Sequence, residues 1–299
     1  MMPNFLIIGA MKAGTSSLYA YLGQHPQIYM SHIKESRFFA SEGENMGFCG
    51  PGDELQNKRS ITHIRDYSAL FRNVSDEIAI GEASPMYIDS PKAAERIQHY
   101  IPDVKLIAML RNPVERAYSN FLHAVRENRE PLNDFARALG EEESRKRNNW
   151  SPFWRYKERG LYYIHLKRFF ERFDRNQIRI YLYDDWQMDN IRILQDIFRF
   201  LNVDHTFVPD VNVKHNVTGI PRIRALHRLV CKPNPVRSML RPFLPIRLRQ
   251  WIFTEVQNLN LSRPTMDSEV RKQLAQSFLE DILKLQDLIE RDLSAWLKT

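Results

Sequence analysis

Residues 4–18 read NFLIIGAMKAGTSSL, and this stretch decides the fold. The apolar run from 5 to 8 is typical of a buried β-strand, and it leads into a turn flanked by Gly9 and Gly14. Apolar side chains at helical spacing follow in residues 16–24, so the segment predicts a strand, a loop and a helix. Backbone N–H groups of such a loop and of the first helical turn point into one concavity, which suits an anion such as phosphate.

The position of its lysine distinguishes this loop from the loop of nucleoside triphosphate-binding proteins. In the strict form of that loop, G-x-x-x-x-G-K-[ST], the lysine directly follows the second glycine. Here Thr15 follows Gly14, and Lys12 lies inside the loop. Hydroxyl side chains then open the helix. We therefore expect a phosphate cradle with a displaced charge, formed by Lys12, Ala13, Gly14, Thr15 and Ser16.

A second motif follows the clearest buried strand, residues 104–110, and reads RNPVERAYS over residues 111–119. Asn112 can cap the helix that begins there. An arginine at the end of a strand and a serine two turns into the next helix can converge on one phosphate, where the guanidinium makes paired charge-assisted bonds. Arg111 and Ser119 are therefore the predicted ligands of this phosphate.

Both motifs resemble those of sulfotransferases that use 3′-phosphoadenosine 5′-phosphosulfate (PAPS). The segment KAGTSSL resembles their 5′-phosphosulfate loop, and R-[DN]-P-x-x-R-x-x-S is the pattern of their 3′-phosphate motif. The resemblance extends from residue 4 to about residue 202. It implies a donor site for PAPS, with adenosine 3′,5′-bisphosphate as the product. It also implies that Gly219 and Arg222 belong to a loop that closes over the nucleotide.

Two further segments resemble the acceptor cleft of the heparan-sulfate and bacterial-type branch of that family. KESRFF, residues 34–39, is similar to K-E-x-H-F-F, in which the glutamate is the proposed general base, so the resemblance makes Glu35 the base. GEASPMY, residues 81–87, is similar to E-K-S-P-x-Y, with Ala83 in place of the lysine. That loss argues against a heavily sulfated polysaccharide as the acceptor. The residues that the resemblance implies as acceptor contacts are Arg37, Glu82, Ser84 and Tyr162.

The chemistry that the resemblance implies is similar to loose phosphoryl transfer, in which catalysis consists mostly of positioning and charge stabilisation. Lys12 is expected to neutralise the charge that develops on the bridging and leaving oxygens, and Glu35 to accept the proton of the acceptor hydroxyl. A sulfuryl group carries less negative charge than a phosphoryl group, so no metal is required. His32 and His123 are rival bases, because related cytosolic sulfotransferases use histidine.

Strand and helix signals alternate along the chain and indicate the fold class. The predicted elements beyond the two motifs are strands at 77–81 and 178–183 and helices at 90–100, 189–202 and 266–297. This order indicates an α/β, P-loop-like three-layer fold with a central, mainly parallel β-sheet flanked by helices. We expect a single domain over residues 1–299. The basic, proline-containing stretch at 236–256 is expected to be a lid or docking segment.

Composition favours an anionic partner and a reducing compartment. The 299-residue chain carries 43 Lys and Arg against 36 Asp and Glu, a formal net charge of +7, which suits acidic ligands. Its two cysteines, Cys49 and Cys231, lie far apart in sequence, so no disulfide framework is indicated. The first strand begins within a few residues of the N-terminus, which leaves no room for a signal peptide or membrane anchor. We therefore expect a cytoplasmic protein without a transmembrane segment.

Two other classes of protein stay open as alternatives. An ATP-dependent P-loop kinase needs a metal-binding aspartate after an apolar strand, and Asp184 fits that position, but a kinase has no need for the 111–119 motif. A non-catalytic nucleotide- or RNA-binding protein would explain the positive charge, yet the pattern of a nucleic-acid-binding fold is missing. The main prediction is a sulfotransferase without a nucleic-acid partner. Its acceptor is a hydroxyl of a small molecule, glycan, lipid or carrier-bound molecule, with the oligomeric state left open.

Overall fold

The fold is built on a five-stranded sheet in which all paired strands run parallel. A computed structural model describes residues 1–212 and 264–298, together with the backbone of 220–221 and 261–262. The strands of the sheet are β1 Phe5–Gly9, β2 Ile28–Met30, β3 Ala79–Ala83, β4 Lys105–Leu110 and β5 Ile178–Leu182. Their order, β2-β3-β1-β4-β5, places β1 at the centre. A separate antiparallel pair joins β6 Ile220–Pro221 to β7 Leu261–Ser262.

Helices surround the sheet in the described part of the chain. The α-helices are α1 Thr15–Leu22, α2 Phe38–Ser41, α3 Asp53–Arg59, α4 Ile64–Ala69, α5 Ala93–Tyr100, α6 Pro113–Arg126, α7 Phe135–Gly140, α8 Glu142–Arg147, α9 Tyr162–Phe170, α10 Tyr183–Met188, α11 Asn190–Leu201 and α12 Ser268–Ile289. Short 3-10 helices lie at Pro152–Trp154, Glu158–Gly160, Arg175–Gln177 and Ser294–Leu297. None of the described helices combines the length and apolar character that a membrane span needs.

The central strands are buried on both faces. Every residue of β1 and β3 is buried, and so is β4 from Leu106 to Leu110. Parallel strands covered by helices on both faces read as continuous apolar runs, which is how β1 and β4 appear in the sequence. The amphipathic helix α12 completes the cover, with Leu274, Phe278 and Ile282 buried.

The carboxyl ends of three neighbouring strands meet at one edge of the sheet. Ile7 of β1 pairs with Ala83 of β3, and Gly9 pairs with Ala108 of β4, so the three strands end at a similar level. The loops that follow β1, β3 and β4 therefore lie side by side. In open parallel sheets this is the edge where ligands bind.

The predicted fold class is confirmed, whereas several element boundaries differ. The strand predicted at 77–81 lies at Ala79–Ala83, and the helix predicted from residue 90 begins at Ala93. The final helix ends at Ile289, and a 3-10 turn follows it. The three-residue strand β2 was not predicted. Gly219, Arg222 and the segment 236–256 lie outside the described residues.

Candidate active site

A cleft of about 1380 Å³ opens at the carboxyl edge of the sheet, and its walls are strongly basic. Among the described residues, nine cationic side chains line it, namely Lys12, Lys34, Arg37, Arg59, Arg111, Arg126, Arg129, Arg159 and Arg271. Three carboxylates, Glu35, Glu115 and Glu127, share the same walls. The excess of positive charge raises the local concentration of anionic ligands.

The loop between β1 and α1 has the geometry of a phosphate cradle. Lys12 and Gly14 both adopt positive φ, 70° and 90°, and a Cβ added to Gly14 would lie 3.1 Å from the Tyr183 ring. Among the described residues, backbone bonds around the loop run from Ser17 and Leu18 to the Gly14 carbonyl. The N–H groups of residues 14–16 make no backbone hydrogen bond within the described part of the chain, so they can donate to a ligand. Ala13 is fully buried, so only its backbone belongs to the cradle.

Lys12 lies half-buried in the cleft and makes no ion pair with the described residues. Desolvation on burial, together with the nearby Arg126 and Arg111 cations, lowers the pKa of Lys12 to about 7. Such a shift means that the surroundings disfavour the charged lysine in the free protein. A bound anion would reverse that balance, because it supplies the missing opposite charge.

The Arg111 turn lies beside the loop. The Arg111 guanidinium donates from Nη1 to the Lys12 carbonyl at 3.3 Å and stacks 5.0 Å from the centre of the Tyr183 ring. Ser119 is buried and lines the same cleft. Asn112 caps α6 by accepting from the Val114 N–H at 3.0 Å. The two predicted phosphate motifs therefore meet in one cleft.

Tyr162 supports this turn from behind. Its side chain is fully buried, and its hydroxyl donates to the Arg111 carbonyl at 3.0 Å. It is absent from the residues that line the cleft. The sequence motif pointed to an acceptor contact, but the geometry favours a residue that fixes the position of Arg111.

Glu35 faces the cleft between two cations. Its Oε1 lies 3.0 Å from Lys34 Nζ, and its Oε2 lies 2.8 Å from Arg37 Nη2. Burial alone would raise the pKa of Glu35, but Lys34 and Arg37 outweigh burial and lower it to about 2. The carboxylate is therefore ionised at neutral pH and able to accept a hydrogen bond from a hydroxyl.

A buried polar cluster lies directly beneath Glu35 and Arg37. Glu82 and Ser84 are fully buried, the Ser84 hydroxyl donates to Glu82 Oε1 at 2.5 Å, and the Arg37 N–H donates to Ser84 Oγ at 3.0 Å. The Glu35 N–H donates to the Ala83 carbonyl at 2.9 Å. Glu82 and Ser84 thus support the loop of residues 35–37 from the protein interior. Of the predicted acceptor contacts, Arg37 is the one that lines the cleft. Burial raises the pKa of Glu82 to about 7.

The two histidines named as rival bases have different surroundings. His123 lines the cleft, and its Nδ1 lies 3.0 Å from Arg126 Nη2, so Nδ1 accepts that hydrogen bond. Burial and the cations Lys12, Arg126 and Arg129 lower the pKa of His123 to about 2. His32 is exposed and lines a second cavity of about 820 Å³, which adjoins Glu35. Glu35 and His123 both line the main cleft, whereas His32 lines the second cavity alone.

One wall of the cleft carries an arginine that the motifs did not indicate. Arg129 lies 4.4 Å from the centre of the Phe153 ring and donates from Nη2 to Asp53 at 2.8 Å. Asp53 is fully buried and also accepts from the Ser151 backbone and the Trp154 indole. Its contact with Asp53 joins residues 76 apart in sequence. No short motif records it.

The model of the sulfotransferase domain family matches residues 2–218. The chain belongs to the sulfotransferase family. Over its whole length this sulfotransferase is similar to the crystal structure of a sulfotransferase from Alicyclobacillus acidocaldarius, with 34% identity, a TM-score of 0.79 and full coverage of both chains.

Curated relatives of the sulfotransferase are longer proteins. It is 38% identical over 124 residues to the membrane-associated sulfotransferase kil1 of Dictyostelium discoideum, which is 42% of this chain and 23% of the relative. It is 26% identical over 250 residues to carbohydrate sulfotransferase 15 of Homo sapiens, which is 68% of this chain and 44% of the relative. The sulfotransferase therefore spans less than half the length of these curated relatives.

Family membership confirms that this chain is an enzyme of the sulfotransferase class, which transfers sulfuryl groups. The kinase and the non-catalytic binder are therefore not the classes to which it belongs. The position of Asp184 agrees with this outcome, because its carboxylate is exposed, accepts from the Trp296 indole at 3.2 Å and does not line the cleft.

Proposed function

We propose that this sulfotransferase transfers the sulfuryl group of PAPS to a hydroxyl group of its acceptor, within a single domain over residues 1–299. The observation that carries the proposal is the hydrogen bond from Arg111 Nη1 to the Lys12 carbonyl. It joins two motifs that lie 99 residues apart, each suited to a different phosphate of one nucleotide. In this proposal, Arg111 and Ser119 bind the 3′-phosphate, and residues 12–16 hold the 5′-phosphosulfate.

The proposed reaction moves the sulfuryl group in line between two oxygens. The acceptor oxygen forms a bond to sulfur, the bond from sulfur to the phosphate oxygen breaks, and adenosine 3′,5′-bisphosphate leaves with that electron pair. Glu35 takes the hydroxyl proton. Lys12 and the loop N–H groups stabilise the charge on the leaving oxygen. Because the transition state is loose and little charge develops on the attacking oxygen, a weak base such as the ion-paired Glu35 suffices.

The acceptor side of the cleft supports a hydroxyl compound larger than a simple alcohol. The second cavity adds about 820 Å³ beyond Glu35 and shares Lys34, Glu35, Arg37 and Arg59 with the main cleft. A small molecule, glycan, lipid or carrier-bound acceptor fits this description. We also propose a cytoplasmic location, because the far separation of the two cysteines in sequence favours a reducing compartment.

Thermal unfolding with nucleotides tests the donor assignment. Adenosine 3′,5′-bisphosphate should stabilise the protein by roughly 2.7 kcal/mol at a concentration 100-fold above its Kd, because it binds only the folded state. AMP lacks the 3′-phosphate and should stabilise it far less, as should ATP with magnesium. Equal shifts with the bisphosphate and with AMP would contradict the proposed 3′-phosphate site.

Nucleotide binding should also take up a proton at Lys12. The pKa of Lys12 is about 7 in the free protein, so the side chain is mostly neutral at pH 8. A bound 5′-phosphate favours the charged form and raises this pKa, so binding at pH 8 should absorb close to one proton and far less at pH 6. Calorimetry of adenosine 3′,5′-bisphosphate in buffers of different ionisation enthalpy measures this uptake. Uptake that persists in Lys12→Met would assign the proton to another group.

A further inference from the structure

Glu115 occupies the corner of the cleft that the proposed function assigns to the 3′-phosphate. It follows Arg111 by four residues and precedes Ser119 by four, so the three side chains share one side of α6 and its N-terminal turn. Glu115 Oε1 accepts from Arg271 Nη2 at 2.5 Å, and Glu115 Oε2 lies 3.8 Å from Arg111 Nη2. The carboxylate therefore joins two arginines at this corner.

A phosphate bound at this corner needs the positive charges of both Arg111 and Arg271. Arg111 carries one positive charge and Glu115 one negative charge, so these two groups alone leave no net charge for an anion. A phosphate monoester carries between one and two negative charges near pH 7, and the nearby Glu115 would repel it. Arg271 adds the second positive charge. Its contact of 2.5 Å also holds the Glu115 carboxylate closer to Arg271 than to Arg111, which lies 3.8 Å away.

Arg271 comes from a part of the chain that the family motifs do not include. It lies near the start of α12, beyond the residues 2–218 that match the family model. The Asp267 side chain caps this helix, and the Tyr118 hydroxyl donates to the Pro264 carbonyl at 3.1 Å, which ties the segment before α12 to α6. The Arg271 side chain is 34% exposed and lines the cleft.

We propose that Arg271 is a specificity-determining residue for the 3′-phosphate of the donor. It offsets the charge of Glu115 and supplies, from α12, the second cation that a phosphate at this corner needs. This inference rests on the proposed function, because it concerns the same nucleotide. It adds a residue that neither of the two sequence motifs indicates.

The test compares Kd for adenosine 3′,5′-bisphosphate with Kd for AMP in matched variants. Arg271→Ala should reduce the preference for the bisphosphate about tenfold and leave AMP binding unchanged. Adding Glu115→Gln to that variant should restore the preference to within about threefold of wild type, because the uncompensated carboxylate is then gone. Lys272→Ala removes an exposed cation from the neighbouring position of α12 and should change neither Kd.

The outcomes separate this inference from the proposed function. Wild-type protein with no preference for the bisphosphate over AMP contradicts the proposed function itself. A preference that Arg111→Ala loses and Arg271→Ala keeps contradicts the role of Arg271 alone. An equal loss of affinity for both nucleotides in Arg271→Ala also contradicts that role. So does a double variant in which the preference for the bisphosphate is not restored. Arg271→Gln, which retains the side-chain stem, replaces the alanine variant if unfolding temperatures show that the latter is poorly folded.

Discussion

Lys12→Ala is expected to lower the rate of sulfuryl transfer by about 10²- to 10³-fold. The reason is that Lys12 is the cation of the loop, and no carboxylate among the described residues pairs with it. Its charge is therefore available where the leaving oxygen becomes negative. A lysine that served only to attract the nucleotide would affect affinity and leave the chemical step unchanged.

Release of adenosine 3′,5′-bisphosphate from saturating PAPS measures this effect, with an acceptor found by screening. Lys92→Ala is the matched control, because Lys92 is exposed, pairs with Glu44 and lies away from the cleft walls. It removes the same charge from the surface. A turnover rate of Lys12→Ala within a few-fold of this control would contradict the role given to Lys12.

Glu35→Gln should lower kcat by about 10²- to 10⁴-fold while nucleotide affinity stays unchanged. Glutamine keeps the shape of the side chain, and its amide oxygen can still accept a hydrogen bond from one of the two cations, Lys34 or Arg37, but it cannot take a proton. The substitution affects proton transfer from the acceptor hydroxyl and not the binding of the donor nucleotide. Normal turnover in this variant would remove Glu35 as the base and make His32 and His123 the next residues to test.

The pH dependence of wild-type turnover gives a second measurement of the same role. The pKa of Glu35 is lowered to about 2, so the carboxylate stays ionised as the pH falls from 7 towards 4. No loss of kcat with an apparent pKa of 4 to 5, the ordinary range of a glutamate, should therefore appear. A loss in that range would contradict this expectation. Glu44→Gln is the control variant and should show the same pH dependence of kcat as the wild type, because Glu44 pairs with Lys92 and Arg96 outside the cleft.

The donor half of the candidate site could be predicted from the sequence because its signals are local. The phosphate loop directly follows β1, and the Arg111 turn directly follows β4. Both strands are continuous apolar runs of a parallel sheet, and such strands end at the same edge. Two short patterns therefore sufficed to bring residues 12–16 and Arg111 together.

The acceptor half was harder to predict, because it depends on the register of one strand. A strand at 77–81 would leave Glu82 in the loop beyond it, whereas the observed strand, Ala79–Ala83, places Glu82 inside the sheet. Two residues of displacement change a surface carboxylate into a buried one. The short strand β2 carried no signal of its own, because three residues are too few for a periodic pattern.

Long-range contacts account for the rest of what was missed. Arg129 is held by Asp53 across 76 residues, and Arg271 meets Glu115 across 156 residues. Neither pair has a spacing that a sequence pattern records. Both arginines look like ordinary surface residues until the fold brings their partners to them.

The hydrogen bond between the Arg111 guanidinium and the Lys12 carbonyl fixes the spacing between the two turns at the ends of β1 and β4. Because the two turns proposed to bind phosphate are hydrogen-bonded directly to each other, the fold and not the ligand sets the distance between them. A nucleotide whose two phosphates have another separation can occupy one end of the cleft but not both. Under the proposed function, selectivity for the donor then arises from the distance between two phosphate sites, which a nucleotide with a single phosphate cannot span.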